Sequence, residues 1–155
     1  PVSRLFMTPF PPFELPVGLH WAAVDDNILP PILDLPDIAP ETTQDHVLVY
    51  LPFEDQDATT RWLQGFTDTS FIQYSPAITH ERRGNVLRQK ANVGGFKRDL
   101  ATARGVICNT VFELISACLQ WRKPVLTSRL AKQMERLSTA AALEPLCSTP
   151  TMQAL

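Results

Sequence analysis

The stretch from residue 105 to residue 126, GVICNTVFELISACLQWRKPVL, has the pattern of a strand, a turn, a helix and a second strand. We expect the helix over residues 110–121, with Asn109 or Thr110 as its cap. In α/β proteins, the N–H groups at such a helix start bind anions such as phosphate. Turns that do this usually contain glycine, whereas Thr110 and Val111 stand here. Because backbone amides make the contacts, these side chains would crowd an anion site without removing it.

Other chemistry-bearing motifs are missing from the sequence. The three histidines and three cysteines do not have the spacing of metal ligands. There is no nucleophile elbow, no Walker phosphate loop and no GxGxxG run. We therefore expect no metal site and assign no catalytic residue. The odd number of widely spaced cysteines also argues against a disulfide framework and favours a reduced, cytoplasmic setting.

Composition indicates a globular protein of moderate size. The chain has 155 residues, of which 45% are hydrophobic and 19% are charged. A net charge of −2 gives no electrostatic reason to expect a nucleic acid or an anionic membrane as partner. No apolar run approaches the roughly 20 residues that a membrane span needs, and the first residues do not resemble a signal peptide. Because Pro1 begins the chain, we expect it to be a fragment of a longer protein.

Proline divides the chain into two parts. Ten of its 14 prolines lie within the first 52 residues, which disfavours regular helices and central strands there. We interpret residues 1–44 as an extended, Pro-rich arm whose many apolar side chains pack on this domain or on a neighbour. Residues 45–155 carry the regular pattern and form the second predicted part.

The second part alternates between strand and helix patterns, which predicts βαβ units and a parallel sheet in an α/β fold. The expected strands are short and rich in apolar residues, and the intervening helices are about 10–12 residues long. The strands are predicted at 46–51, 71–74, 85–88, 106–108 and 124–127, and the helices at 55–64, 94–104, 110–121 and 131–143.

Polar residues follow the carboxyl ends of these strands, where ligands bind in open parallel sheets. Every domain of this class has such a rim, so the rim alone does not distinguish a binding site from a scaffold. The predicted rim contains Glu54, Ser75, Asn92, Asn109, Thr110, Ser128, Lys132 and Gln133.

Several segments together resemble the carboxyl-terminal half of a GT-B glycosyltransferase. They are similar to a bacterial and archaeal family of nucleotide-sugar glycosyltransferases, related in turn to the peptidoglycan transferase that uses UDP-GlcNAc. The segments are GLHW and ILPPILD in the arm, HVLVYLPFED at 46–55, GGFKRDLATARGVICN at 94–109, and FELIS, KPVL and AAALE after it.

The resemblance implies a single GT-B half-domain, a three-layer Rossmann-like parallel sheet with helices on both faces. Such a domain binds the nucleotide-sugar donor without a metal or other cofactor, and the UDP-sugar is the substrate. An amino-terminal domain, absent from this chain, would bind the acceptor and supply the catalytic base. The Pro-rich arm would then connect the two domains.

The resemblance also implies which loops meet the donor. By analogy, one loop would line the cleft, and three others would contact the uracil, the diphosphate and the sugar of the donor. The residues are Pro52, Phe53 and Glu54 at the cleft, Asn92, Val93 and Phe96 at the uracil, Asn109, Thr110 and Val111 at the diphosphate, and Leu130 to Gln133, including Lys132, at the sugar.

This chain departs from its relatives at two site positions. They carry glycine where Val111 stands, and a glutamate that holds the ribose hydroxyls where Ala117 stands. Glu113 lies one helical turn earlier, but the relatives carry it as well, so it does not by itself replace that glutamate. The leading hypothesis is the donor-binding half of a transferase for a hexose or N-acetylhexosamine. The alternatives are a degenerate nucleotide-binding or interaction module and, less favoured, a UDP-GlcNAc epimerase.

Overall fold

The computed structural model describes residues 17–22, 26–35 and 43–128. The chain divides into two units between Ile32 and Leu33. The predicted helix at 131–143 and the sugar loop with Lys132 and Gln133 lie outside the described residues.

The first unit contains two very short strands. β1 (Gly18–Leu19) and β2 (Ile28–Leu29) pair in parallel, with Gly18 opposite Ile28. Strands of two residues agree with the expectation that proline prevents longer regular elements in this part of the chain. The assignment of residues 1–44 to an arm that connects two domains stays a prediction.

The second unit contains a six-stranded sheet in the order β5-β6-β4-β3-β7-β8. Every neighbouring pair is parallel except β5 and β6. The elements are β3 (His46–Tyr50), α1 (Gln56–Gln64), β4 (Ser70–Ser75), β5 (Glu81–Arg83), β6 (Val86–Lys90), α2 (Val93–Thr102), β7 (Gly105–Asn109), α3 (Phe112–Gln120) and β8 (Val125–Ser128).

The five predicted strands are confirmed, but the edge strand β5 was missed. Its sequence, Glu81–Arg83, is entirely charged and carries no apolar alternation, as is common for strands that protect a sheet edge. A two-residue loop joins it to β6, and Gly84 adopts the positive φ of 58° that this tight hairpin needs. The sheet is therefore mixed, because one antiparallel strand covers the edge of a parallel sheet.

Helices cover both faces of the sheet, which confirms the expected three layers. Neighbouring residues of β4 show this, since their side chains point to opposite faces. Gln73 accepts a hydrogen bond from Thr60 of α1 at 2.7 Å. The next residue, Tyr74, donates its hydroxyl hydrogen to Asp99 of α2, also at 2.7 Å.

The core on the α1 face is compact and apolar. Leu63 of α1 has no exposed surface and packs within one cluster of buried side chains. The other buried members come from β3 or the residue after it, β4 and β6, and they are Val49, Leu51, Phe71 and Val86. This cluster fixes α1 against the strands whose carboxyl ends form the candidate site.

Two buried thiols lead to a prediction about alkaline pH. Burial raises the pKa of the Cys108 thiol in β7, and burial raises that of Cys118 in α3 to about 12. An unfolded thiol ionises near pH 9, while the folded thiols stay neutral. The free energy of unfolding is therefore unaffected by these thiols below pH 9 and decreases as the pH rises above it. We expect each thiol to remove about 1 kcal/mol from the free energy of unfolding between pH 8 and pH 10.

Urea unfolding at these two pH values, for the wild type and for Cys118→Ala, measures the effect. The variant is expected to lose less stability between the two pH values than the wild type, whatever its stability at pH 8. An equal loss in both proteins would contradict the role assigned to Cys118.

No helix among residues 17–22, 26–35 and 43–128 is long and apolar enough to cross a membrane.

Candidate functional site

The candidate site lies between the carboxyl ends of β3 and β7, which are neighbours in the sheet. From β3 the chain continues to β4 on one side, and from β7 it continues to β8 on the other. The two helices that follow these strands therefore leave in opposite directions and open a crevice between them. Ligands of open α/β sheets bind at this topological switch point. The loop after β3 and the turn after β7, both predicted as site segments, meet here.

Two predicted site residues are in direct contact at the switch point. Asn109, the last residue of β7, donates a hydrogen bond from Nδ2 to Glu54 Oε1 in the loop after β3, at 3.3 Å. Asn109 is 0% exposed, whereas Glu54 is half-buried. The amide oxygen of Asn109 has no hydrogen-bond partner among the described residues. A buried acceptor without a hydrogen bond destabilises the fold by about 1–3 kcal/mol. The described part of the chain supplies no donor to this oxygen, so a bound ligand could provide one.

The predicted cap of α3 was wrong. The helix begins at Phe112 with Val111 at the N-cap, and no side chain caps it. Asn109 contacts Glu54 instead, and Thr110 donates from Oγ1 to the Ser128 carbonyl at 3.4 Å. The helix begins later than predicted, so neither residue occupies the N-cap, and both side chains are bound to neighbouring segments.

The first turn of α3 therefore offers backbone N–H groups to a ligand. The N–H of Val111 is not one of them, because it donates to the Asn109 carbonyl at 2.7 Å. The N–H groups of Glu113 and Leu114 have no intrahelical acceptor at their positions in the first turn. With the positive end of the helix dipole, they form a site suited to an anion.

The other two helices of the second unit are capped in the usual way. Asp55 accepts a hydrogen bond from the N–H of Ala58 at the start of α1, at 2.7 Å. Asn92 does the same for Gly95 at the start of α2, also at 2.7 Å. Among the three described helices, only α3 begins without a side-chain cap.

The loop after β3 is held in place by Gln56, the first residue of α1. Its Nε2 donates to the carbonyls of Leu51 and Glu54, at 2.8 and 2.7 Å. Its Oε1 accepts from Nε2 of the buried Gln73, at 3.1 Å, and Gln73 also accepts from Thr60. This network fixes the backbone of the loop, so the carboxylate of Glu54 starts from a defined position.

Sequence reasoning missed Gln56 and Gln73. A signal for Gln73 was present, because it is the only polar residue between Phe71 and Tyr74 in an otherwise apolar strand pattern. A buried amide in such a place must find partners, and here they are Gln56 and Thr60.

The residues predicted at the uracil lie after β6 and at the start of α2. Asn92 caps this helix, and Val93 beside it is 73% exposed. Phe96 makes edge-to-face contacts with Tyr50 and Tyr74, with ring centroids 5.3 and 5.2 Å apart. β6 is two strands from β3, which places this region about 10 Å from Glu54 along the edge of the sheet.

The remaining predicted positions differ in their access to the crevice. Phe53 is 55% exposed and Pro52 is half-buried. Ser75 is fully buried, and its Oγ accepts from the N–H of Ala77 at 3.2 Å, so it shapes the turn after β4. Ser128 ends β8 and is half-buried.

Two residues of α3 that the resemblance singled out differ in burial. Ala117 is 5% exposed, so its methyl group lies inside the fold. Glu113, another predicted site residue, is exposed in the first turn. No group of three or more potential metal ligands occurs within the described ranges.

Comparison with known proteins gives one match. A family model described as glycosyl transferase family 1 matches residues 9–153, which include every element described above. Neither curated proteins nor solved structures give a match.

Proposed function

This chain belongs to glycosyl transferase family 1, and from that premise we propose that it is the domain that binds a UDP-sugar donor. Its six-stranded α/β fold is that of a GT-B half-domain. In the proposed reaction, a hexose or N-acetylhexosamine passes to an acceptor held by a second, amino-terminal domain. That domain would also supply the general base.

The uncapped start of α3 is the observation that carries this proposal. It lies at the switch point, where the amides of Glu113 and Leu114 are positioned to receive an anion. Sugar transfer leaves negative charge on the departing diphosphate. Fixed N–H donors and a helix dipole stabilise that charge as it develops.

Titrating UDP into the isotope-labelled protein while following backbone amide signals tests the proposal. We expect sub-millimolar affinity, with the largest shifts at Asn109, Glu113 and Leu114. The hairpin around Gly84, at the far edge of the sheet, serves as the internal control and should not shift. The absence of any shift at millimolar UDP would refute donor binding by this domain.

A second candidate function is a degenerate, non-catalytic module that binds a nucleotide or another protein. The buried methyl group of Ala117, where relatives carry the ribose glutamate, favours it. Inorganic pyrophosphate tests whether the site recognises a nucleotide, because it has the diphosphate but neither ribose nor base. Binding of UDP at least about tenfold tighter than pyrophosphate supports donor recognition, since one charge-assisted contact contributes that much. Equal binding of the two ligands supports an interaction module that has lost the nucleotide site.

A further inference from the structure

We propose that Glu54 and Asn109 form a subsite for two adjacent hydroxyl groups of the donor. This inference rests on the proposed function and deepens it, because it assigns a neutral part of the substrate to a pair of residues beside the anion site. The two residues lie in contact across the switch point, on the loop after β3 and at the end of β7.

The chemistry of the pair does not suit a phosphate. The carboxylate of Glu54 repels a diphosphate, and the free atom of Asn109 is an oxygen, which can only accept. That oxygen is bonded to the same carbon as the Nδ2 that contacts Glu54, so one amide group and one hydrogen bond separate the two acceptors. Neighbouring acceptors are complementary to neighbouring O–H donors, and a vicinal diol supplies two of them.

The position of the pair is built into the fold. Asn109 is completely buried, and its Oδ1 lacks the donor that a buried acceptor needs. Gln56 holds the backbone carbonyl of Glu54, and Gln73 in turn holds Gln56. A carboxylate on a loop fixed in this way binds a ligand with little further loss of conformational freedom.

Vicinal hydroxyls occur both on the ribose and on the transferred sugar. The ribose is one source of the diol. Because Ala117 has no carboxylate, the ribose hydroxyls need another acceptor, and Glu54 can be that acceptor. The shared chemistry is the diol, and the ligands of the experiment distinguish its two sources.

The experiment compares the wild type with Glu54→Gln by calorimetric titration of pyrophosphate, UDP, 2′-deoxy-UDP and UDP-glucose. We expect the variant to bind diol-containing ligands about tenfold more weakly, because a charged acceptor is lost. Pyrophosphate should bind as well or better, since a repelling charge is removed. A loss for UDP that is absent for 2′-deoxy-UDP identifies the ribose, and a loss confined to UDP-glucose identifies the transferred sugar.

Asp68→Asn is the matched control, because it removes an exposed carboxylate from the turn before β4, at the opposite end of the strands. It should leave the binding of all four ligands unchanged. Asn109→Ala removes the buried acceptor and should weaken the same ligands as Glu54→Gln, and circular dichroism checks that each variant is folded.

Two results would overturn the inference. Glu54→Gln could bind all four ligands as the wild type does, or it could change the affinity for all four by the same factor. In both cases the wild type still binds UDP and the proposed function stands. A wild type that binds none of the ligands refutes the proposed function and the subsite with it.

Discussion

Val111→Asp is expected to stabilise the fold and to weaken UDP binding at the same time. Val111 occupies the N-cap of α3 with extended backbone angles, φ −105° and ψ 119°, and makes no side-chain cap. An aspartate there can accept a hydrogen bond from the N–H of Leu114, as Asp55 does from Ala58 in α1. The new cap should add about 0.5–2 kcal/mol to the free energy of unfolding.

The carboxylate of this aspartate would accept the hydrogen bond of the Leu114 N–H, which is proposed to bind the diphosphate. It would also repel the negative charge of the diphosphate. We therefore expect UDP affinity to fall by more than about tenfold, which corresponds to about 1.4 kcal/mol. Thermal unfolding and UDP titration measure the two effects on one protein sample. A change of opposite sign in stability and affinity separates a blocked site from a damaged fold.

Val111→Ala is the matched control, because alanine removes the same side chain without capping the helix. Val111→Gly removes the side chain completely, and the reduced crowding should tighten UDP binding. If Val111→Asp is more stable but binds UDP as the wild type does, the diphosphate does not lie at the start of α3.

Leu63→Ala is expected to lower the free energy of unfolding by about 2–5 kcal/mol. Leu63 has no exposed surface and contacts buried side chains from β3, β4 and β6. Its truncation removes apolar contacts and leaves a cavity that the surrounding β-sheet can fill only in part. Urea unfolding of the two proteins measures the difference.

Arg61→Ala is the control for this substitution, since Arg61 is exposed on the same helix. It should change stability by less than about 0.5 kcal/mol. A loss below about 1 kcal/mol for Leu63→Ala would mean that α1 is not held by this cluster. The position of the loop after β3 would then depend on the Gln56 and Gln73 network alone.

Local patterns in the sequence were sufficient for most of the fold. The apolar runs at 46–51 and 71–74 predicted β3 and β4, because buried parallel strands need apolar side chains on both faces. The alternation of such runs with helix patterns predicted the layers and the parallel pairing. β5 escaped prediction because edge strands do not need apolar residues.

The candidate site was predictable only as a region. The rule that ligands bind beyond the carboxyl ends of strands pointed to Glu54 and Asn109 among many polar residues. Their contact depends on the pairing of β3 with β7, which are far apart in the sequence. The strand-turn-helix pattern and the resemblance to GT-B transferases both predicted a site at the turn at Asn109. The family match bears on the family and its fold, and the site residues stay a prediction.

The sequence by itself therefore determined the elements, the α/β class and the strand-turn-helix at 105–126. Only the tertiary structure decided what the turn presents to a ligand. Propensity makes Asn109 a good cap, but the sheet places it opposite Glu54 and leaves the start of α3 to Val111. The physical reason is that a side chain bonds to the partner that folding brings near, and strand order, which local sequence does not encode, sets that partner.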